Sequence, residues 1–389
     1  MDLVLNEEQE MLARSAREFV AGRSSLRRIR ELRDRNDADG FSRELWREMA
    51  ALGWLGIVIP EEFGGAGLGY MDQMTVLEEM GRGLMPEPFV STVLLGTTAL
   101  LLGGSAAQKK EHLPKIAAGE RLVTVAYQEA GSRYDVHKVA TKALKSGGGW
   151  TVNGEKVQVL DGHVADRIVV SARTSGASGD AKGVTLFLVA ADTPGITIER
   201  QSRIDSRNVA LVRLDDVKVE GDAVLGAVDQ GGELLQRVID RAAIGLTAEM
   251  LGSMQAAFET TNEYLKTRVQ FGVPIGSFQA LKHRAAKMYI ELELARSAVM
   301  GAHRALDMAR HAPESAKDDK TIAKLASLAK ARCSDAFVLI GNECVQMHGG
   351  IGVTDEADIG FFFKRARVAE MTFGDAAWHR DRTATLEGY

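Results

Sequence analysis

The sequence is poor in cysteine, in net charge and in long apolar runs, and each shortage removes a class of protein. Two cysteines in 389 residues cannot build a disulfide scaffold or a four-cysteine zinc site, so a reducing compartment, the cytoplasm, is expected. Cys333 and Cys344 fall on one predicted helix without a C-x-x-C pair, and read as core thiols rather than redox groups. With 48 Lys plus Arg against 53 Asp plus Glu, the net charge of −5 leaves no general basic face for nucleic acid. The longest apolar stretch, Ser91–Leu102, falls short of the roughly 20 residues of a spanning helix. Met1–Glu10 is acidic and lacks the basic and apolar regions of a signal peptide. A small-molecule ligand is expected, with no nucleic-acid or membrane partner.

What remains is ordinary globular material, 45% hydrophobic and 26% charged, with length for two or three domains. Its texture changes twice. Residues 1–120 read as helical: Asn6 and Gln9 have capping-box spacing, and Leu12, Ala16, Phe19 and Val20 recur at helical intervals. The glycine-rich run Pro60–Gly69 interrupts this zone. Residues 121–225 carry short β-rich runs, Val123–Tyr127, Trp150–Val152, Arg167–Ala172, Val184–Val189 and Ala210–Leu214, punctuated by Gly, Asp and Asn. They predict a small sheet or barrel, with Ser175–Lys182 as a flexible loop. Residues 226–389 return to helix. Ile244, Leu251, Met254, Phe258 and Leu265 mark one long amphipathic helix, Ile290, Leu294 and Val299 begin a second, and Leu325–Cys344 gives a third. Such helices pack as antiparallel bundles.

Four local motifs occur in this order: Pro60–Gly69; Leu214-Asp-Asp-Val-Lys-Val219 with Gly226; Arg268-Val-Gln-Phe271-Gly272 with Gln279; and Gln346-Met-His-Gly-Gly350-Ile-Gly352. Over essentially the whole chain they resemble the acyl-CoA dehydrogenase family. The resemblance implies an α+β multidomain fold: an N-terminal helical domain, a middle β barrel and a C-terminal four-helix bundle that assembles tetramers. It also implies FAD as cofactor, an acyl-CoA thioester as substrate and an electron-accepting flavoprotein as redox partner. The reaction is α,β-desaturation, in which a carboxylate takes the α proton and the β hydrogen leaves as hydride.

By the same resemblance, Arg268, Gln270, Phe271 and Gln279 belong to the element that reaches the FAD of a neighbouring subunit, and Gln346 with Gly349 and Gly350 to a second. A planar guanidinium suits phosphate oxygens, and glycines admit close backbone approach. Other family positions are altered. Gln128-Glu-Ala-Gly-Ser-Arg-Tyr-Asp135 puts Gln128 where the family has a flavin-bonding threonine, and Tyr134 where a serine meets CoA. Lys156-Val-Gln158-Val-Leu160 lacks the family's tryptophan and threonine, and leucine donates no hydrogen bond. Phe373, in Thr372-Phe-Gly-Asp375 with Arg380 beyond, stands at the catalytic glutamate position. The alternative glutamate position and the arginine after it hold Ala242 and Ala243. Asp375, two residues from Phe373, is the one candidate base. Glu129 reads as structural; Tyr127, His137 and His163 lack metal-ligand spacing, and His348 need not be catalytic.

What is lost would serve a subunit's own flavin ring and substrate; what is kept would serve a neighbour's FAD. That pattern resembles the small (β) subunit of pimeloyl-CoA dehydrogenase and related heteromeric acyl-CoA dehydrogenases. Val170-Ser-Ala-Arg-Thr174, Tyr264-Leu-Lys-Thr-Arg268 and Thr372-Phe-Gly-Asp375 come nearest to that type. The expectation is a base-deficient subunit in a tetramer with a paralogous chain. The alternatives are a self-sufficient homo-oligomeric enzyme using Asp375, and a non-catalytic CoA-binding or assembly subunit.

Overall fold

The computed structural model describes residues 4–310 and 316–389, and among these described residues the chain forms eleven α-helices, one eight-stranded mixed sheet and a two-stranded hairpin. The helices are α1 (Glu7–Arg23), α2 (Leu26–Asp34), α3 (Arg43–Ala51), α4 (Tyr70–Arg82), α5 (Thr98–Gly103), α6 (Ala106–Ala117), α7 (Gly231–Thr267), α8 (Gln279–Arg310), α9 (Ala316–His348), α10 (Ile359–Met371) and α11 (Ala376–Glu387). Met1–Leu3, part of the acidic N-terminal run, lie outside the described residues. The helical, β, helical order along the chain is as the sequence predicts. By internal contacts the chain forms two compact units, the first comprising Met1–Asp34, Gly69–Met85 and Ala243–Tyr389, the second Arg35–Leu68 and Pro86–Ala242.

The first unit is helical. Asn6 caps α1 through the expected box, its side chain accepting from Gln9 N–H while Gln9 Oε1 accepts from Asn6 N–H. Helices α4 and α7 touch backbone to backbone: a Cβ on Gly81 would lie 2.0 Å from Glu249 O, and one on Gly252 1.7 Å from Glu78 O. Ser253 Oγ donates across this seam to Gly81 O at 2.9 Å. The N-terminus of α4 is held from α8, where Asp307 accepts from the Tyr70 and Met71 N–H groups. Cys333 and Cys344 are fully buried, and burial pushes both thiols up to about 12, as core thiols require.

On α8 the structure corrects the expected apolar face. Val299 is buried, but Ile290 and Leu294 are 55% and 52% exposed; the inward stripe is Met288, Leu292, Ala295 and Val299. Apolar residues on both sides of a helix make the inward side ambiguous from periodicity alone.

The second unit is built on β1 (Val123–Ala126), β2 (Lys142–Ser146), β3 (Gly149–Leu160), β4 (Arg167–Arg173), β5 (Val184–Ala190), β6 (Ile196–Gln201), β7 (Val209–Val219) and β8 (Val224–Leu225). The path is β6-β7-β3-β2-β4-β5-β8, with β1 parallel to β4. Ala143, Val152, Ile168, Val170, Phe187, Val212 and Val217 meet in its core. β2 and β6 are missed by the sequence reading, because Lys142-Ala-Leu-Lys-Ser146 exposes four of its five residues and Ile196-Thr-Ile-Glu-Arg-Gln201 buries none fully. The Ser175–Lys182 excursion is tied down by Arg173, whose guanidinium donates to the carbonyls of Lys182 at 2.8 Å and Asp180 at 3.3 Å. The apolar stretch Ser91–Leu102 is a buried π-helix, Val90–Thr97, continuing into α5. Among the described residues no helix is long and apolar enough to cross a membrane.

Glu129 is structural here, as expected. Its carboxylate accepts from Lys156 Nζ at 2.6 Å and from the Ala140 and Thr141 N–H groups. Burial pushes Lys156 down to about 8 against the pull of that carboxylate. Glu129→Gln leaves the ammonium buried without its counter-charge and is expected to cost about 3–5 kcal/mol, measured by urea unfolding. A loss under about 1 kcal/mol would mean that Ser171, the other partner of Lys156, suffices.

Candidate functional site

Two elements of the first unit carry the predicted ligand-binding residues, and the structure brings them together. Beyond α7 the chain turns through a hairpin, Val269–Gln270 paired with Val273–Pro274, and enters α8 at Gln279. Phe271 and Gly272 form its two-residue tip, with φ +53° and +82°, the pattern of a type I′ turn. Phenylalanine is a poor choice there, since the left-handed region suits Gly, Asn or Asp. Its ring is also 90% exposed and lies edge-on to Phe278 with ring centroids 6.1 Å apart. Arg268 is exposed and makes no ion pair among the described residues, although its backbone is fixed by bonds to Tyr264 O and from Ile275 N.

The second element is the end of α9. Gln346, Gly349 and Gly350 are exposed there, and a Cβ on Gly350 would meet nothing within 4 Å of this chain. Tyr264 joins the two elements: its ring stacks on His348 at 4.4 Å and its hydroxyl donates to His348 O. His348 Nδ1 bonds Cys344 O in turn. Nothing in the sequence marked Tyr264 as the bridge beyond its place four residues before Arg268. The corner therefore offers a free guanidinium, the amides of Gln270, Gln279 and Gln346, open glycine backbone and an outward aromatic ring. That donor set fits a dinucleotide, with charge for the pyrophosphate and apolar area for a ring.

The turn between α10 and α11 is different in character. Phe373 is buried, 3% exposed, at φ +63°, and Gly374 follows at φ +116°. A Cβ on Gly374 would lie 2.6 Å from the Trp378 ring and 2.7 Å from His379 Nε2, so no other residue fits. His379 Nε2 bonds Phe373 O at 3.1 Å. Asp375 is the N-cap of α11, one carboxylate oxygen accepting from Trp378 N–H at 2.8 Å. Arg380 pairs with Asp335 on α9. Ala242 and Ala243 are fully buried methyl groups. The turn thus presents a hydrocarbon at Phe373 and a carboxylate already occupied at Asp375.

In the second unit, Gln128 spends its side-chain amide on Arg133 O at 3.2 Å, and the Arg133 guanidinium lies over Tyr134. Gln158 sits at a bulge in β3 with φ +54°. Leu160 contributes only its carbonyl, which accepts from Thr124 Oγ1 at 2.6 Å. Gln128, Gln158 and Leu160 carry no hydroxyl, so none of these side chains can donate an O–H to a flavin ring. His163 bonds Ala38 O, and no metal-binding cluster occurs among the described residues.

Replacing Phe271 by Gly relieves the strained tip, and the isolated chain is expected to gain about 0.5–1 kcal/mol in thermal unfolding. A loss of similar size would mean that the ring packs within its own chain.

Models of the acyl-CoA dehydrogenase N-terminal, middle and C-terminal domains match residues 6–120, 124–217 and 229–385. The chain is 31% identical to mitochondrial isovaleryl-CoA dehydrogenase of Pongo abelii, covering 97% of this chain and 88% of that one. Among solved structures it resembles the ChsE4-ChsE5 complex from Mycobacterium tuberculosis, with TM-score 0.87, 27% identity and all of both chains covered. It also resembles the Tcur3481-Tcur3483 steroid ACAD, with TM-score 0.85, 31% identity and 98% of each chain covered. With three domain models in order and a relative matched along nearly its whole length, this chain belongs to the acyl-CoA dehydrogenase family of FAD-dependent oxidoreductases acting on acyl-CoA.

Proposed function

We propose that this chain is the base-deficient subunit of a heteromeric acyl-CoA dehydrogenase, of the type resembled by the pimeloyl-CoA dehydrogenase small subunit, and that it completes FAD binding in trans. The observation that carries this reading is the contrast between two parts of one unit. Arg268, Gln270, Gln279, Gln346 and Gly350 are exposed at one corner, with a strained Phe271 whose ring is 90% exposed. The turn at the family's glutamate position holds a buried Phe373. Arg268 would bind the pyrophosphate, the glutamine amides its oxygens and sugar, and Phe271 an aromatic or apolar face. Bound FAD supplies the hydride acceptor; the proton-abstracting carboxylate comes from the sister chain. The exposed Tyr289, Ile290 and Leu294 of α8 supply apolar area for assembly into a tetramer with a paralogous subunit. An electron-transferring flavoprotein serves as redox partner, and domain limits of 1–120, 121–225 and 226–389 go with the same reading. Two of the similar solved structures are named for pairs of chains, which supports a paired assembly.

Arg268→Gln tests the trans contact in the co-purified complex. Loss of a charge-assisted bond is expected to weaken FAD retention by about 10- to 100-fold, with the subunits still associated. Unchanged flavin content would remove Arg268 from the site.

The self-sufficient alternative rests on Asp375, the nearest carboxylate to Phe373 in the same turn. Asparagine caps helices as well as aspartate does, so Asp375→Asn removes the carboxylate and keeps the turn. The proposal expects acyl-CoA-driven flavin bleaching by the complex to stay within about twofold of wild type; a loss of about 100-fold or more would make Asp375 the base.

A further inference from the structure

Lys330 lies in the middle of α9, on the buried stripe formed by Ala326, Ala329, Cys333 and Phe337, with no exposed surface. Among the described residues its ammonium faces no carboxylate at bonding distance. Instead Nζ donates to Ser334 Oγ at 3.0 Å, Glu370 O at 2.9 Å and Gly374 O at 2.8 Å. Three N–H groups meet three oxygens, so the charged form is saturated. A neutral amine keeps only two N–H groups, and its lone pair would then face one of those oxygens. Two of the acceptors are the last-turn carbonyl of α10 and the carbonyl of the turn that follows it.

That turn needs holding. Phe373 and Gly374 both have positive φ, and a strained backbone persists only where its surroundings over-determine it. Lys330 grips it from α9 and His379 from α11, through Phe373 O. We propose that Lys330 is the positioning residue of the Thr372–Asp375 turn, and that loss of its proton releases Gly374 and loosens the turn.

The groups around Lys330 favour titration in the neutral range. On its own helix Cys333 favours the ammonium, although burial pushes the thiol's own ionisation up to about 12. From α10 come Glu370, which favours the ammonium, and Arg365, which opposes it and is paired with Glu249 of α7 at 2.9 Å. From the α11 end come Asp375, favouring the ammonium, and His379, which burial keeps neutral down to about 3. Burial outweighs the acids and brings Lys330 down to about 7. The sign follows: below about 7 the ammonium holds all three oxygens, and above it the amine holds two. The inference rests on the reading that this turn forms part of the working cleft. The turn's own response, however, is read without FAD, substrate or partner, so the two can fail separately.

Trp378 is the reporter, since its ring lies against Gly374 and edge-on to His379 at 4.7 Å. Its emission is obtained by subtracting the spectrum of Trp378→Phe, which removes the other three tryptophans. The wild type is expected to show a transition with a midpoint near pH 7, and Lys330→Met a flat response. Should Lys330→Met fail to fold, Ser334→Ala serves: it deletes one acceptor of the ammonium and shifts the midpoint to lower pH. A wild-type emission flat from about pH 5.5 to about pH 9, a transition surviving in Lys330→Met, or an unmoved midpoint in Ser334→Ala would overturn the proposal.

Discussion

Desolvation governs this molecule: every charge taken from water must find its own set of partners. Inside, that demand is met locally. Lys156 has Glu129 and Ser171, Arg365 has Glu249, and Lys330 has a hydroxyl and two carbonyls. The sets of Lys156 and Lys330 each tie a loop or turn to a regular element and that of Arg365 joins α10 to α7, because a buried ion with a missing partner costs several kcal/mol. At the corner around Arg268 the demand is left open. A guanidinium and an aromatic ring stand in water, the ring on a strained tip.

The proposed division of labour follows from where polar groups remain available. The corner around Arg268 keeps its donors unspent, and the backbone beneath them is fixed by Tyr264 and His348. In the β unit the corresponding groups are spent or absent, Gln128 on Arg133 O and Leu160 without a side-chain donor. At the α10–α11 turn a carboxylate survives only as a helix cap. This contrast is what the proposed base-deficient subunit rests on.

Much of this was legible beforehand because it lay in local pattern. Asn6 and Gln9 gave the first cap, glycine and aspartate marked the β unit, and Arg268 and Gly350 stood at recognisable spacings. What stayed hidden depended on packing. Ile290 and Leu294 look like core on a helical wheel and face outward; β2 and β6 are too polar to read as strands. Lys330 carried a usable signal, a lone charge on an otherwise apolar stripe, but its three oxygens come from 4, 40 and 44 residues away. The Tyr264–His348 stack, across 84 residues, had no sequence counterpart.

As proposed, this chain completes a flavin site without running the reaction alone. The most direct measurement is flavin content and acyl-CoA-driven bleaching of the purified chain by itself, set beside the same chain co-expressed with a paralogue that carries the glutamate. The account predicts little bound flavin and no bleaching alone, with both restored in the pair. Full flavin occupancy and turnover by the lone chain would contradict it.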